Sequence, residues 1–143
     1  MAKSKPSNRE IITLARQVTK AQNEQDEAKL KELLAPGFKS HISDLEKPLT
    51  REQYIKGVKM SHQAFSNLVF SIEDVVADKD KVVLRIVAKG KHTGKYQGIA
   101  PTQKLVKFAG IVIRRIKDGS VVEEWQTNDQ FSLQQQLISD SAL

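Results

Sequence analysis

The chain has no cysteine, which excludes a disulfide framework and a thiolate metal site. Its three histidines, His41, His62 and His92, lie far apart, and no metal is expected. No run approaches the roughly eighteen apolar residues of a membrane-crossing helix, so no membrane partner is expected. The opening MAKSKPSNRE is polar and leads into an amphipathic stretch without an apolar signal core, pointing to a cytoplasmic location. Acids are missing from one long segment. From Lys81 to Lys117 there are ten basic residues and no carboxylate. Such a segment would attract phosphate or a carboxylated ligand, or it is the wet face and edges of a sheet, where lysine also deters edge pairing. It lacks interleaved aromatics and any recognised motif, so a nucleic-acid partner is not expected.

What is present fits one domain over residues 8 to 143, preceded by a loose tail over residues 1 to 7. Ile11, Leu14, Ala15, Val18 and Ala21 recur at helical spacing after Asn8. A shorter helix begins at Asp26, carries Leu30, Leu33 and Leu34, and stops at Pro36-Gly37. The third helix is announced by LTREQY: Thr50 and Gln53 form a capping-box pattern, Leu49 and Tyr54 a hydrophobic staple, and the helix should reach about Ala64.

Beyond Asn67 the apolar period drops to 2, and residues 69–77, 81–92, 104–117 and 121–131 read as strands. Val82, Leu84, Ile86, Ala88, Gly90 and His92 share one face, as in an antiparallel sheet with one wet side. Asp118-Gly119 signals a two-residue hairpin. Continued without interruption, its register sets Ile116 opposite Val121, Arg114 opposite Glu123, Val112 opposite Trp125, Gly110 opposite Thr127, and Phe108 opposite Asp129. Helices followed by a mainly antiparallel sheet give an α+β fold, most simply a curved sheet wrapped around the N-terminal helices with a pocket between the layers.

On this register Asp129 faces an apolar wall, where an unpaired carboxylate is costly. A carboxyl group so placed suits general acid/base work; alternatively Asp129 caps a C-terminal helix over FSLQQQL. Phe108, Gly110, Val112, Trp125 and Thr127 would line the same pocket, with Trp125 as core or as a stacking surface. His92 lies on the inward parity, where it could donate a hydrogen bond into the pocket, or is a loop histidine bonded to backbone. His41 lines the pocket mouth or is structural. Tyr54 is a hydroxyl donor or only a staple. His62 suits a helix C-terminus.

HTG at 92–94, GIAPT at 98–102, the DG turn, WxxxD from Trp125 to Asp129 and the closing QL at 136–137 together resemble the SnoaL-like polyketide cyclases. These are small members of the nuclear transport factor 2-like superfamily of cone-shaped α+β folds. FKSHI and AFSNLVFSIEDVVADKDKVVLR extend the resemblance to about residues 10–138. It implies cofactor-independent aldol cyclisation or isomerisation of a hydrophobic carbonyl compound, with Asp129 as acid/base. The other reading is a non-catalytic module of the same fold that binds a small ligand or another chain. Outward Ile111 and Ile113 side by side lead to the expectation of a homodimer through the outer sheet face.

Overall fold

The computed structural model describes residues 5–139, so most of the tail expected over residues 1 to 7 lies outside the described part, as do residues 140–143. Helix α1 (Asn8–Glu24) is capped by the Ser7 side chain on Glu10 N–H and ends in the left-handed Gln25. Helix α2 (Glu27–Leu33) is capped by Asp26. The chain then enters a strand not read from the sequence, β1 (Leu34–Ile42), which contains Pro36 and Gly37. Both sit where the pairing of β1 slips between Leu34 and Lys39, the irregular place at which a strand tolerates proline.

After the short β2 (Leu49–Thr50), α3 (Arg51–Ala64) starts with the full capping box between Thr50 and Gln53. Four longer segments follow: β3 (Phe65–Asp78), β4 (Lys81–His92), β5 (Leu105–Lys117) and β6 (Ser120–Asn128). Helix α4 (Gln130–Ile138) closes the described chain. Among the described residues no helix is long and apolar enough to cross a membrane.

The six strands form one sheet in the order β2-β1-β6-β5-β4-β3. It is mixed, because β1 runs parallel to β6 while the other neighbours are antiparallel. The sheet curls, so that α3 touches both β1 near one edge and β3 at the other. Inside the curl Val82, Leu84, Ile86 and Val112 pack on Ile11, Ala15 and Val18 of α1, while Leu133 and Leu137 of α4 cover Ala88 and Val106.

The hairpin at Asp118-Gly119 has both residues at positive φ, 51° and 77°, the geometry of the expected two-residue turn. Just beyond it the structure departs from the uninterrupted register. Ile116 pairs with Val121 but Arg115 pairs with Glu123, so Val122 is an extra residue on β6. A bulge of this kind sets two residues against one and reverses the alternation beyond it. Val112 therefore faces Gln126 rather than Trp125, Gly110 faces Asn128 rather than Thr127, and Arg114 faces Glu124 rather than Glu123.

Candidate functional site

A cavity of about 190 Å³ opens between the two packed regions. Its apolar wall includes Val58, Phe65, Phe70, Ile86, Phe108 and Val112; its polar side is formed by Tyr54, Glu124, Gln126, Asn128 and Gln130. The bulge explains this division, since residues 124, 126 and 128 turn inward only because the strand has slipped past Val122.

At the base Arg114 and Glu124 form an ion pair, Nε to Oε1 at 3.1 Å, with side chains 2% and 1% exposed. The remaining guanidinium donors tie β5 to α1: Nη1 reaches Ala15 O at 2.8 Å and Thr19 Oγ1 at 2.7 Å, and Nη2 reaches Gln22 Oε1 at 3.1 Å. Glu124 Oε2 accepts from Ser40 Oγ at 2.6 Å and from Gln126 Nε2 at 3.0 Å. A buried charge needs such compensation, and here the two charges cancel. Tyr54 OH points at Glu124 Oε1 from 3.5 Å, the outer limit of a hydrogen bond. Burial, reinforced by the Glu124 charge, raises the Tyr54 phenol far above its ordinary range, so it stays a neutral donor.

Gly110 leaves room for a neighbour, because a Cβ there would collide with Asn128 Oδ1. At the other end of the cavity Tyr96 OH donates to Gln130 Oε1 at 2.9 Å, joining the 96–99 turn to α4. Burial raises the Tyr96 phenol, against the pull of that bond.

Of the residues singled out from the sequence, Tyr54, Phe108 and Val112 meet at the cavity, and Gly110 lies against Asn128, which lines it. Five do not join them, His92 among them. Asp129 is exposed, and its carboxylate caps α4 by accepting from Ser132 N–H at 2.9 Å. Its own N–H bonds to Ala109 O, so it does not face Phe108. Thr127 is exposed, and Trp125 lies on the outer face with its ring stacked on His41 at 5.5 Å and 12°. His41 is drawn outward by that stack and by Glu123, whose Oε2 is 2.7 Å from its Nε2. The bulge accounts for Trp125 and Thr127, and helix initiation accounts for Asp129.

His92 is fully buried at the end of β4, where Phe65 packs against its ring. The Thr102 N–H donates to Nδ1 at 3.1 Å, which leaves the imidazole proton on Nε2. That Nε2 finds no partner among the described residues, and burial lowers the pKa of the ring against a weaker opposing effect of the Gly94 backbone. The neighbouring Thr93 and Gly94 N–H groups both bond Ala64 O at the end of α3, and a Cβ on Gly94 would strike the Gln63 carbonyl. The HTG stretch is thus a clasp between α3 and the loop that carries Tyr96. His62 bonds Gln22 O at 2.9 Å.

Arg114, Glu124, Gln126 and Asn128 were not recognised as site residues from the sequence. A signal was there: Arg114 shares the parity of Val112 and Ile116, and an inward arginine requires an inward carboxylate opposite it.

The family model for SnoaL-like polyketide cyclase matches residues 12–137. Among solved structures, IdmH from Streptomyces antibioticus, a proposed polyketide cyclase, is 27% identical with a TM-score of 0.80, over 89% of this chain and 97% of that one. AclR from Streptomyces galilaeus, a proposed hydroxylase, is 25% identical with a TM-score of 0.83, over 92% and 82%. A SnoaL-like protein from Jannaschia sp. CCS1 shares the fold at a TM-score of 0.87 and 19% identity, over 99% and 100%. A comparison with curated proteins found no match.

Proposed function

Since the chain belongs to the SnoaL-like polyketide cyclase family, we propose that it is a cofactor-independent cyclase or isomerase that enolises a neutral, hydrophobic carbonyl compound in this cavity. The observation that carries the reading is the cavity wall itself: apolar over most of its extent, with hydroxyl and amide groups on one side and its two charges paired with each other. Such a lining favours an uncharged ligand with an apolar body and a few oxygens.

Glu124 is the single carboxylate among the described residues that lines the cavity. In this reading it accepts the proton next to the ligand carbonyl, while Tyr54 OH leaves its long contact with Glu124 and donates to the developing enolate oxygen. The enolate carbon then attacks a second carbonyl of the same molecule, and the new alkoxide takes up the proton. Asp129, to which the family resemblance gives this role, has its carboxylate committed to the start of α4 instead.

The test is exchange of the α-protons of 2-tetralone in D₂O, followed by NMR. Tyr54→Phe should slow the catalysed exchange by roughly 10²-fold. Asp129→Asn should leave it within about twofold, the cap being worth only about 1 kcal/mol of stability. Loss of exchange in Asp129→Asn with retention in Tyr54→Phe would overturn the assignment. A specific observation favours the second reading, a non-catalytic binder: both Glu124 oxygens already accept hydrogen bonds inside the protein. Tight binding of the ketone with exchange no faster than in buffer would establish it.

The outer face of β5 supports pairing with a second copy, because Ile111 is 51% exposed beside the half-buried Ile113. Light scattering should give the dimer mass, and Ile111→Lys the monomer mass; a monomeric wild type removes this part of the proposal.

A further inference from the structure

The side-chain amides on the inward face of β6 have a fixed direction. Arg114 is a permanent cation, and its partner Glu124 presents acceptor oxygens to Gln126. Gln126 must therefore turn Nε2 towards Glu124 Oε2, at 3.0 Å, and Oε1 away from it. That Oε1 accepts from Asn128 Nδ2, again at 3.0 Å. Turning either amide over would set oxygen against oxygen, so the carboxylate decides an orientation that an isolated amide leaves open. At the end of the relay stands Asn128 Oδ1. It lies over Gly110 at the cavity wall and receives no hydrogen bond from any described residue.

We infer that Asn128 is a specificity-determining residue which selects ligands bearing a hydroxyl donor, a phenol or an enol, at its end of the cavity. The same skeleton with that oxygen capped is disfavoured. This rests on the cavity being the ligand site, as proposed above, and adds the group that the ligand must show there. The relay works by polarity. A carbonyl oxygen with unused lone pairs accepts a ligand O–H, whereas an ether oxygen set against it meets like partial charge and strands two acceptors in an apolar enclosure. Gly110 permits the arrangement, because any larger residue would push the Asn128 carbonyl out of place.

The experiment is a fluorescence titration of the full chain with 1-naphthol and with 1-methoxynaphthalene at neutral pH. The preference for naphthol, as a ratio of Kd values, should be roughly tenfold greater in the wild type than in Asn128→Leu, which keeps the volume and removes the acceptor. Gln126→Met breaks the relay, freeing Asn128 to turn, and should erase most of the same preference even if Asn128→Leu fails to fold. Circular dichroism checks both variants. Equal ratios in wild type and variants, with both probes binding, overturn the inference and leave the cavity reading standing. If neither probe binds the wild type, the cavity reading fails and takes the inference with it.

Discussion

Two arginine–glutamate pairs bridge the same two strands, one residue apart, and they sit in opposite environments. Arg114 and Glu124 face inward and are almost completely buried, whereas Arg115 and Glu123 face outward at 32% and 25% exposure, with the Arg115 Nη2 to Glu123 Oε1 distance again 3.1 Å. The inner pair has six further hydrogen bonds from or to Ala15, Thr19, Gln22, Ser40, Gln126 and Tyr54; the outer one adds His41. The difference shows that contact geometry does not set the worth of an ion pair. Desolvation makes the inner pair a commitment in which neither partner can be removed alone, while water and salt screen the outer pair.

The sharpest way to break the comparison is to truncate each arginine. Arg114→Met should lose about 3–5 kcal/mol by urea unfolding, because it leaves Glu124 charged and unpaired in the interior. Arg115→Met should lose under about 1 kcal/mol. Equal losses would remove the distinction.

The two networks should also fail at opposite ends of the pH scale. Tyr54, beside the inner pair, ionises in the unfolded chain near pH 10 but keeps its proton in the folded one, because burial and the Glu124 charge oppose the phenolate. Its contribution is complete below that pH and is lost as pH climbs beyond it. Melting temperature should fall above pH 10, and Tyr54→Phe should flatten that limb, leaving the part due to Tyr96.

Glu123 behaves in the reverse sense and more weakly. Burial works against its charge, but the hydrogen bonds from His41 and Arg115 outweigh it and hold the carboxyl below the ordinary value of 4.5. Its contribution is present above that pH and is lost as pH falls through and below it. Glu123→Gln should therefore reduce the acid slope of the melting curve, by the least of these effects, and leave the alkaline limb unchanged.

Much of the fold was legible. The alternation from Val82 to His92, the Thr50–Gln53 capping pattern and the Asp118-Gly119 turn are local signals, and each forms as its residues suggest. The family resemblance, expected over about residues 10–138, holds over residues 12–137. Strand β1 was hidden because Pro36-Gly37 reads as a stop, and pairing with β6 and β2 makes it a strand. The candidate site was less legible for a reason specific to VVEE. Two valines followed by two glutamates look the same in either parity, so nothing within that stretch shows on which residue the bulge falls. The uninterrupted register then set Trp125 on the inward face, although it packs outside on His41. Asp129 offered two local readings, and the start of α4 took it.

The extra residue at Val122 works like the offset of a reading frame. Had the strand carried one residue fewer there, everything downstream would exchange sides together: an indole and a threonine would fill the hollow, and two amides would meet the water. No downstream substitution would be needed, and the hairpin itself would be undisturbed. What this hollow can recognise is therefore set by a count as much as by the identity of its residues.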